Sequence, residues 1–249
     1  MNLFKKLFGT AKNGASQNEF VESEFSLMKK TDFNNFEDLL NQHAGYSFEK
    51  QLNFNELTGN VAWNIDLNTG MLSFGTLQFP MQVIGSLSFN DYSWMWGWAN
   101  TKSGIPENLL DGSSKLKALG EKKELEELKK GHFMATEGFE HKMGLVASGL
   151  LDADAYFCAN YGQGTMVVTV KSDSIPEIDD NNVERVLTTF PQLISGIDLN
   201  HQESFKNYLI DRGFKLKLTD RKIEGVKNGK LLIAEFDELS RLIKLNGKI

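Results

Sequence analysis

One cysteine, four prolines and four histidines in 249 residues leave little material for covalent or metal chemistry. Cys158 cannot form an internal disulfide, so the fold must stand without a covalent staple, and a reducing cytoplasm is the expected compartment. His43, His132, His141 and His201 are scattered, and no two of them have the i, i+4 spacing of a helical metal site. His132, Glu137 and His141 form the one local cluster, with Glu137 and His141 four apart and expected on one helical face. Without a second histidine at that spacing the cluster implies no metal, and no cofactor is expected. A Gly-x-Ser-x-Gly elbow is also missing, and Cys158 has no basic residue beside it in sequence. Gly162-Gln163-Gly164 lies between two expected strands, so it reads as a hairpin turn rather than a phosphate-binding loop. Asp152 and Asp154 with Glu140 offer acids near a loop, a commonplace arrangement.

Long apolar runs are missing too, none approaching the roughly 18 residues of a membrane-crossing helix. Lys5 and Lys6 interrupt the start of the chain and exclude a secretory signal there. As a helix, Met1 to Phe8 would group Leu3, Phe4, Leu7 and Phe8 into a short hook. At ~8 residues it suits only weak contact with a membrane surface or partner. Gly9 to Asn18 follows as a linker. The basic excess needed to grip nucleic acid is absent: 27 Lys and Arg face 33 Asp and Glu, a net charge of -6. That balance suits a basic protein partner instead.

What the chain does have is tryptophan in an unusual pattern, Ser93-Trp94-Met95-Trp96-Gly97-Trp98-Ala99-Asn100. A spacing of two puts three indoles on one face of a strand and Met95, Gly97 and Ala99 on the other. Large apolar side chains are usually interior, so the indole face is expected to be core rather than a stacking platform. Its expected cover is a helix from an Asp32 cap to about Asn55, with Phe36, Leu40, Ala44, Phe48 and Leu52 as its stripe and Gly45 as its weak point.

Phe20 to Met28 has a helical pattern. Val61 to Asp66 and Met71 to Gly75 should pair across Leu67-Asn68-Thr69-Gly70, setting Ile65 opposite Leu72 and Trp63 opposite Phe74. A turn at Asn90-Asp91 would pair Leu87 with Trp94, Gly85 with Trp96 and Val83 with Trp98, with Gly85 making room for the central indole. Helices are expected from Ser113 or Ser114, and from Thr136 through Phe139, Met143, Val146 and Leu150. Ala155 to Asn160 and Thr165 to Lys171 form a further hairpin. Ser172 to Pro176 reads as a boundary. Beyond it come helices near Asn182 to Ile194, ended or kinked by Pro191, and His201 to Arg212. Three strands follow around an Asn228-Gly229 hairpin that sets Val226 against Leu231, and Arg241 to Leu245 adds a strand or short helix. The fold class is α+β, antiparallel β-meanders packed against helices. Residues 1–19 are tail and linker, 20–175 the core with the tryptophan strand, and 176–249 a C-terminal unit or the completion of the same domain.

Trp94-Met95-Trp96-Gly97-Trp98-Ala99-Asn100 resembles a family of uncharacterised bacterial proteins marked by a Trp-x-Trp-x-Trp-Ala-Asn strand. The likeness extends from the helix before Gly59, through Trp63 to Asp66 and Gln82 to Gly85, to the Ala155-Tyr156-Phe157 hairpin. Gly97 stands where the family has alanine, a change a strand tolerates. The resemblance implies a bacterial origin and a shared fold, and supplies no catalytic residues. With no catalytic motif, a non-enzymatic binding or protein-interaction module is expected, an immunity-type role being one form. The alternative is an enzyme or small-ligand binder with a pocket at the end of the tryptophan strand, built from Trp98, Asn100, His132 and Glu137.

Overall fold

A computed structural model describes residues 20–248, so the Met1 to Phe8 hook and its linker lie outside the described residues. Helix α1 (Phe36–Thr58) is capped by Asn35, whose Oδ1 accepts from the Asp38 amide at 2.8 Å, while Glu37 and Asp38 complement the positive end of the helix. The expected cap, Asp32, instead binds Lys123 Nζ at 2.8 Å. Of the predicted stripe, Phe36, Leu40 and Ala44 are buried and Phe48 and Leu52 only half-buried, whereas Leu39, Ser47, Glu49, Gln51 and Phe54 are buried as well. The helix is therefore enclosed on several sides rather than along one face.

The strands β2 (Trp63–Asp66), β3 (Met71–Phe74) and β4 (Leu77–Ser88) form a meander with the expected registers Trp63 to Phe74 and Ile65 to Leu72. β5 (Ser93–Trp96) pairs Leu87 with Trp94 and Gly85 with Trp96. It ends there, because Gly97–Ala99 turns into a 3₁₀ helix, and the expected pairing of Val83 with Trp98 does not form. The indole that crosses at Gly85 is Trp94, not the central one: a Cβ on Gly85 would lie 2.5 Å from the Trp94 ring. The rest of this seven-stranded sheet is β6 (His132–Met134), unforeseen in the sequence and paired with β5, and the hairpin β7 (Ala155–Asn160) and β8 (Gly164–Val170) against β4.

Helix α2 (Asp111–Lys123) starts ahead of the serines expected to cap it, and Ser113 Oγ donates back to the Leu110 carbonyl. The short helix α3 (Glu126–Lys129) follows, and then α4 (Phe139–Leu150), whose N-cap is Gly138 at φ +79° rather than Thr136. α3 and α4 cover the tryptophans, and Phe36, Leu39, Leu40 and Ala44 of α1 belong to the same apolar cluster. The Trp96 Nε1 donates to the Glu127 carbonyl at 2.9 Å, and Phe139 lies edge-on to Trp94 with centroids 5.5 Å apart. Phe36 of α1 meets Phe139 with centroids 5.3 Å apart.

In the C-terminal part, α5 (Arg185–Gly196) runs on through Pro191, held by the buried Phe190 and Leu193, and α6 (His201–Asp211) follows. β9 (Lys215–Thr219), β10 (Lys222–Lys227), β11 (Lys230–Phe236) and β12 (Leu242–Lys248) form a second sheet. Asn228 and Gly229 both have positive φ and set Val226 opposite Leu231 as expected. Phe20 to Met28 is not a helix. It supplies a 3₁₀ turn (Glu22–Glu24) and β1 (Ser26–Leu27) on the edge of this sheet, because Phe25 is buried against Val226 and Leu231. One apolar cluster running from Phe36 to Phe236 includes side chains from both sheets and from α1, α2, α4, α5 and α6. Among the described residues no helix is long and apolar enough to cross a membrane.

Candidate functional site

The four residues expected to share a pocket are dispersed by the backbone. Trp98, swung off the strand by the 3₁₀ turn, stacks on Trp96 at 6.4 Å and carries Lys117 over its ring at 4.5 Å. Asn100 closes that turn, its amide donating to the Trp96 carbonyl at 3.1 Å. It lines a hollow of about 240 Å³ on the flat side of β5, with Met95, Gly97, Tyr161 and Met166. His132 is exposed on β6, opposite Met95. Glu137 is exposed in the turn before α4 and borders a different cavity with Glu140. The expected shared helical face of Glu137 and His141 does not exist, because the left-handed Gly138 separates Glu137 from the helix.

His141 instead meets two residues distant in sequence. Its Nδ1 lies 3.2 Å from the Tyr156 hydroxyl and 3.8 Å from Cys158 Sγ. The thiol thus has an imidazole neighbour that inspection of its own strand does not reveal. Burial, with the charge of Glu140 as a lesser cause, pushes the Cys158 thiol far up, and Tyr156 likewise. Both stay protonated at neutral pH, and a protonated thiol is a poor nucleophile. No group of three or more metal-ligating side chains occurs among the described residues.

A cavity of about 590 Å³ opens between α1, the turn before β7 and the segment after β8. Asp152, Asp154, Asp173, Glu177 and Asp180 face Lys50 and Lys171 across it. Both lysines point at one acid: Lys171 Nζ is 2.6 Å and Lys50 Nζ 3.6 Å from Asp152. The Lys171 hydrogen bond holds the Asp152 carboxyl below the usual range. Asp180 pairs with Lys227 at 3.0 Å, while Asp173 and Glu177 have no ion-pair partner among the described residues.

The rim of this cleft is anchored from inside. Arg212 is fully buried, and its Nη2 donates to the carbonyls of Asn182 at 2.8 Å and Asp179 at 3.2 Å. Its Nη1 donates to Glu49 Oε1 at 3.2 Å, and Asn53 Nδ2 donates to the carbonyls of Pro176 and Glu177. Burial raises the Glu49 carboxyl, opposed by the Tyr208 hydroxyl and by Arg212. No spacing rule points to Glu49, Tyr208 and Arg212, because they meet only once α1 packs on α6.

The model of the Family of unknown function (DUF6882) matches residues 37–173, more than half of the chain. The chain belongs to this family. The DUF6882 match runs from the first turn of α1 to just beyond β8, so it takes in the tryptophan turn, the His141 cluster and the acids up to Asp173. The cleft rim from Pro176 onward, with Tyr208 and Arg212, lies beyond the DUF6882 match. Neither a curated protein nor a solved structure matches the chain.

Proposed function

We propose that this DUF6882 member is a non-enzymatic binding module that receives a basic protein partner in its acidic cleft. The observation that carries the reading is the charge imbalance there: Asp152 takes both lining lysines and Asp180 pairs with Lys227, which leaves Asp154, Asp173 and Glu177 without an ion pair among the described residues. A positive side chain entering the cleft meets Asp173 and Glu177 without displacing an existing ion pair, and complementary charge speeds encounter as well as selecting the partner. Buried Arg212, on the carbonyls of Asp179 and Asn182, and Asn53, on those of Pro176 and Glu177, support the reading further by fixing the backbone that carries Glu177 and Asp180 before a partner arrives. An immunity-type role, with the acidic protein occupying a basic toxin, is one form of it.

The test uses hexalysine as probe, titrated by calorimetry in low and physiological salt. Binding that weakens with salt and is lost in the double variant Asp173→Lys/Glu177→Lys supports the proposal, and equal binding by that variant sinks it.

A second reading, a small-ligand binder or enzyme with its pocket at the end of the tryptophan strand, is favoured by the hollow beside Asn100. Of the four residues expected in it, only Asn100 lines that hollow, so this reading ranks below the first.

A further inference from the structure

A second cavity, of about 290 Å³, lies at the other end of the same sheet. β8 pairs Val170 with Met81 near the acidic cleft and Gly164 with Ser88 near this cavity, so the two are separated by roughly the 20 Å of a seven-residue strand. Its wall is Leu87, Phe89 and Tyr92, and Glu137 sits exposed at its mouth. Glu140 lines it too, nine-tenths buried, with Oε2 enclosed by protein and lacking any hydrogen-bond partner among the described residues. No lysine or arginine pairs with it there; the following Lys142 lies 3.9 Å from Glu37, and His141 turns its Nδ1 to Tyr156 and Cys158.

Burying a carboxylate costs several kcal/mol unless a donor or cation compensates it. Part of that compensation comes from the first turn of α4, where Glu140 sits, but the Oε2 atom is left without a donor. Two carboxylates fall short of a metal shell, and the remaining wall is aliphatic and aromatic. That combination fits a cation carried on an alkyl chain: the acid takes the charge, Tyr92 and Phe89 offer ring faces, and Leu87 meets the methylenes.

We propose that this cavity binds a small organic cation, an alkylammonium or alkylguanidinium. The site goes beyond the acidic-cleft reading and does not depend on it. Calorimetric titration of the full chain with agmatine and n-butylammonium tests it, with n-butanol as the neutral counterpart. Both cations are expected to bind and butanol not. Glu140→Gln is expected to weaken agmatine by at least about tenfold, the loss of one charged hydrogen bond. Should Glu140→Gln fail to fold, the exposed pair Tyr92→Leu/Glu137→Gln carries the same test, with weakening of about threefold or more. The site is overturned if neither cation binds, if butanol binds as well as butylammonium, or if these variants bind agmatine like the parent. It is equally overturned if agmatine binding vanishes in Asp173→Lys/Glu177→Lys, since the cation then occupies the other cleft.

Discussion

The Tyr208 hydroxyl donates to Glu49 Oε2 at 2.6 Å, joining α6 to α1 across 159 residues of chain, and Arg212 supports the same carboxylate from its other oxygen. Arg212→Ala leaves that carboxylate buried and half-paired and frees the carbonyls of Asp179 and Asn182. A loss of about 3 to 5 kcal/mol in urea unfolding is expected. Glu49→Leu/Arg212→Met should recover part of it, because the isolated charge is gone while the carbonyls stay unpaired. A single variant as stable as the parent would contradict the network's role.

Acid should destabilise the fold through His43. Burial, with Lys30 as a lesser cause, lowers its imidazole from 6.5 to about 3. The unfolded chain therefore takes up a proton that the folded chain refuses. Stability is unaffected above pH 6.5 and falls as pH drops from there toward 3, by up to roughly 1.4 kcal/mol per unit. In His43→Gln the acid limb should flatten over that window in pH-dependent urea melts, and an unchanged limb would exclude His43 as its source.

Gly45 reverses the usual sign of a glycine-to-alanine change inside a helix. Propensity alone predicts a gain of ~1 kcal/mol. A Cβ at Gly45 would lie 2.4 Å from Tyr208 Cβ and 2.6 Å from its Cγ, near-backbone atoms that cannot rotate away. Gly45→Ala should therefore lose about 1 to 3 kcal/mol by thermal or urea unfolding. A stabilised variant would show that the α1 and α6 contact yields easily.

Trp94 and Trp96 are fully buried and Trp63 is 40% exposed. Acrylamide should quench a minor fraction of the emission, and Trp63→Phe should remove most of that fraction while leaving a blue-shifted remainder. Trp98 is half-buried, so quenching in the variant beyond that one indole's share would mean that the core indoles are open to solvent.

Short-range order was legible in the sequence wherever turn chemistry and alternation agreed. The registers at Trp63 to Phe74, Leu87 to Trp94 and Val226 to Leu231 all follow from a local turn that fixes the pairing beyond it. Alternation failed at Trp98, because the chain turns into a 3₁₀ helix at Gly97–Ala99, with Gly97 packed close to Leu110 and the Val83 carbonyl, while the spacing of tryptophans continues unchanged. The helical pattern of Phe20 to Met28 lost to a tertiary contact, Phe25 against the second sheet. In the candidate site, Asn100 lines the hollow beside β5, whereas His132, Glu137 and Trp98 lie outside it.

The sequence by itself determined the α+β class and the hairpins, because each depends on residues within a few positions of one another. Only the tertiary structure decided which charges share a cleft, that Glu49 meets Tyr208 and Arg212, and that Glu140 is buried beside a cavity. Those are packing outcomes: partners separated by many tens of residues are brought together when helices close on sheets, and no local spacing encodes which side chains then face each other.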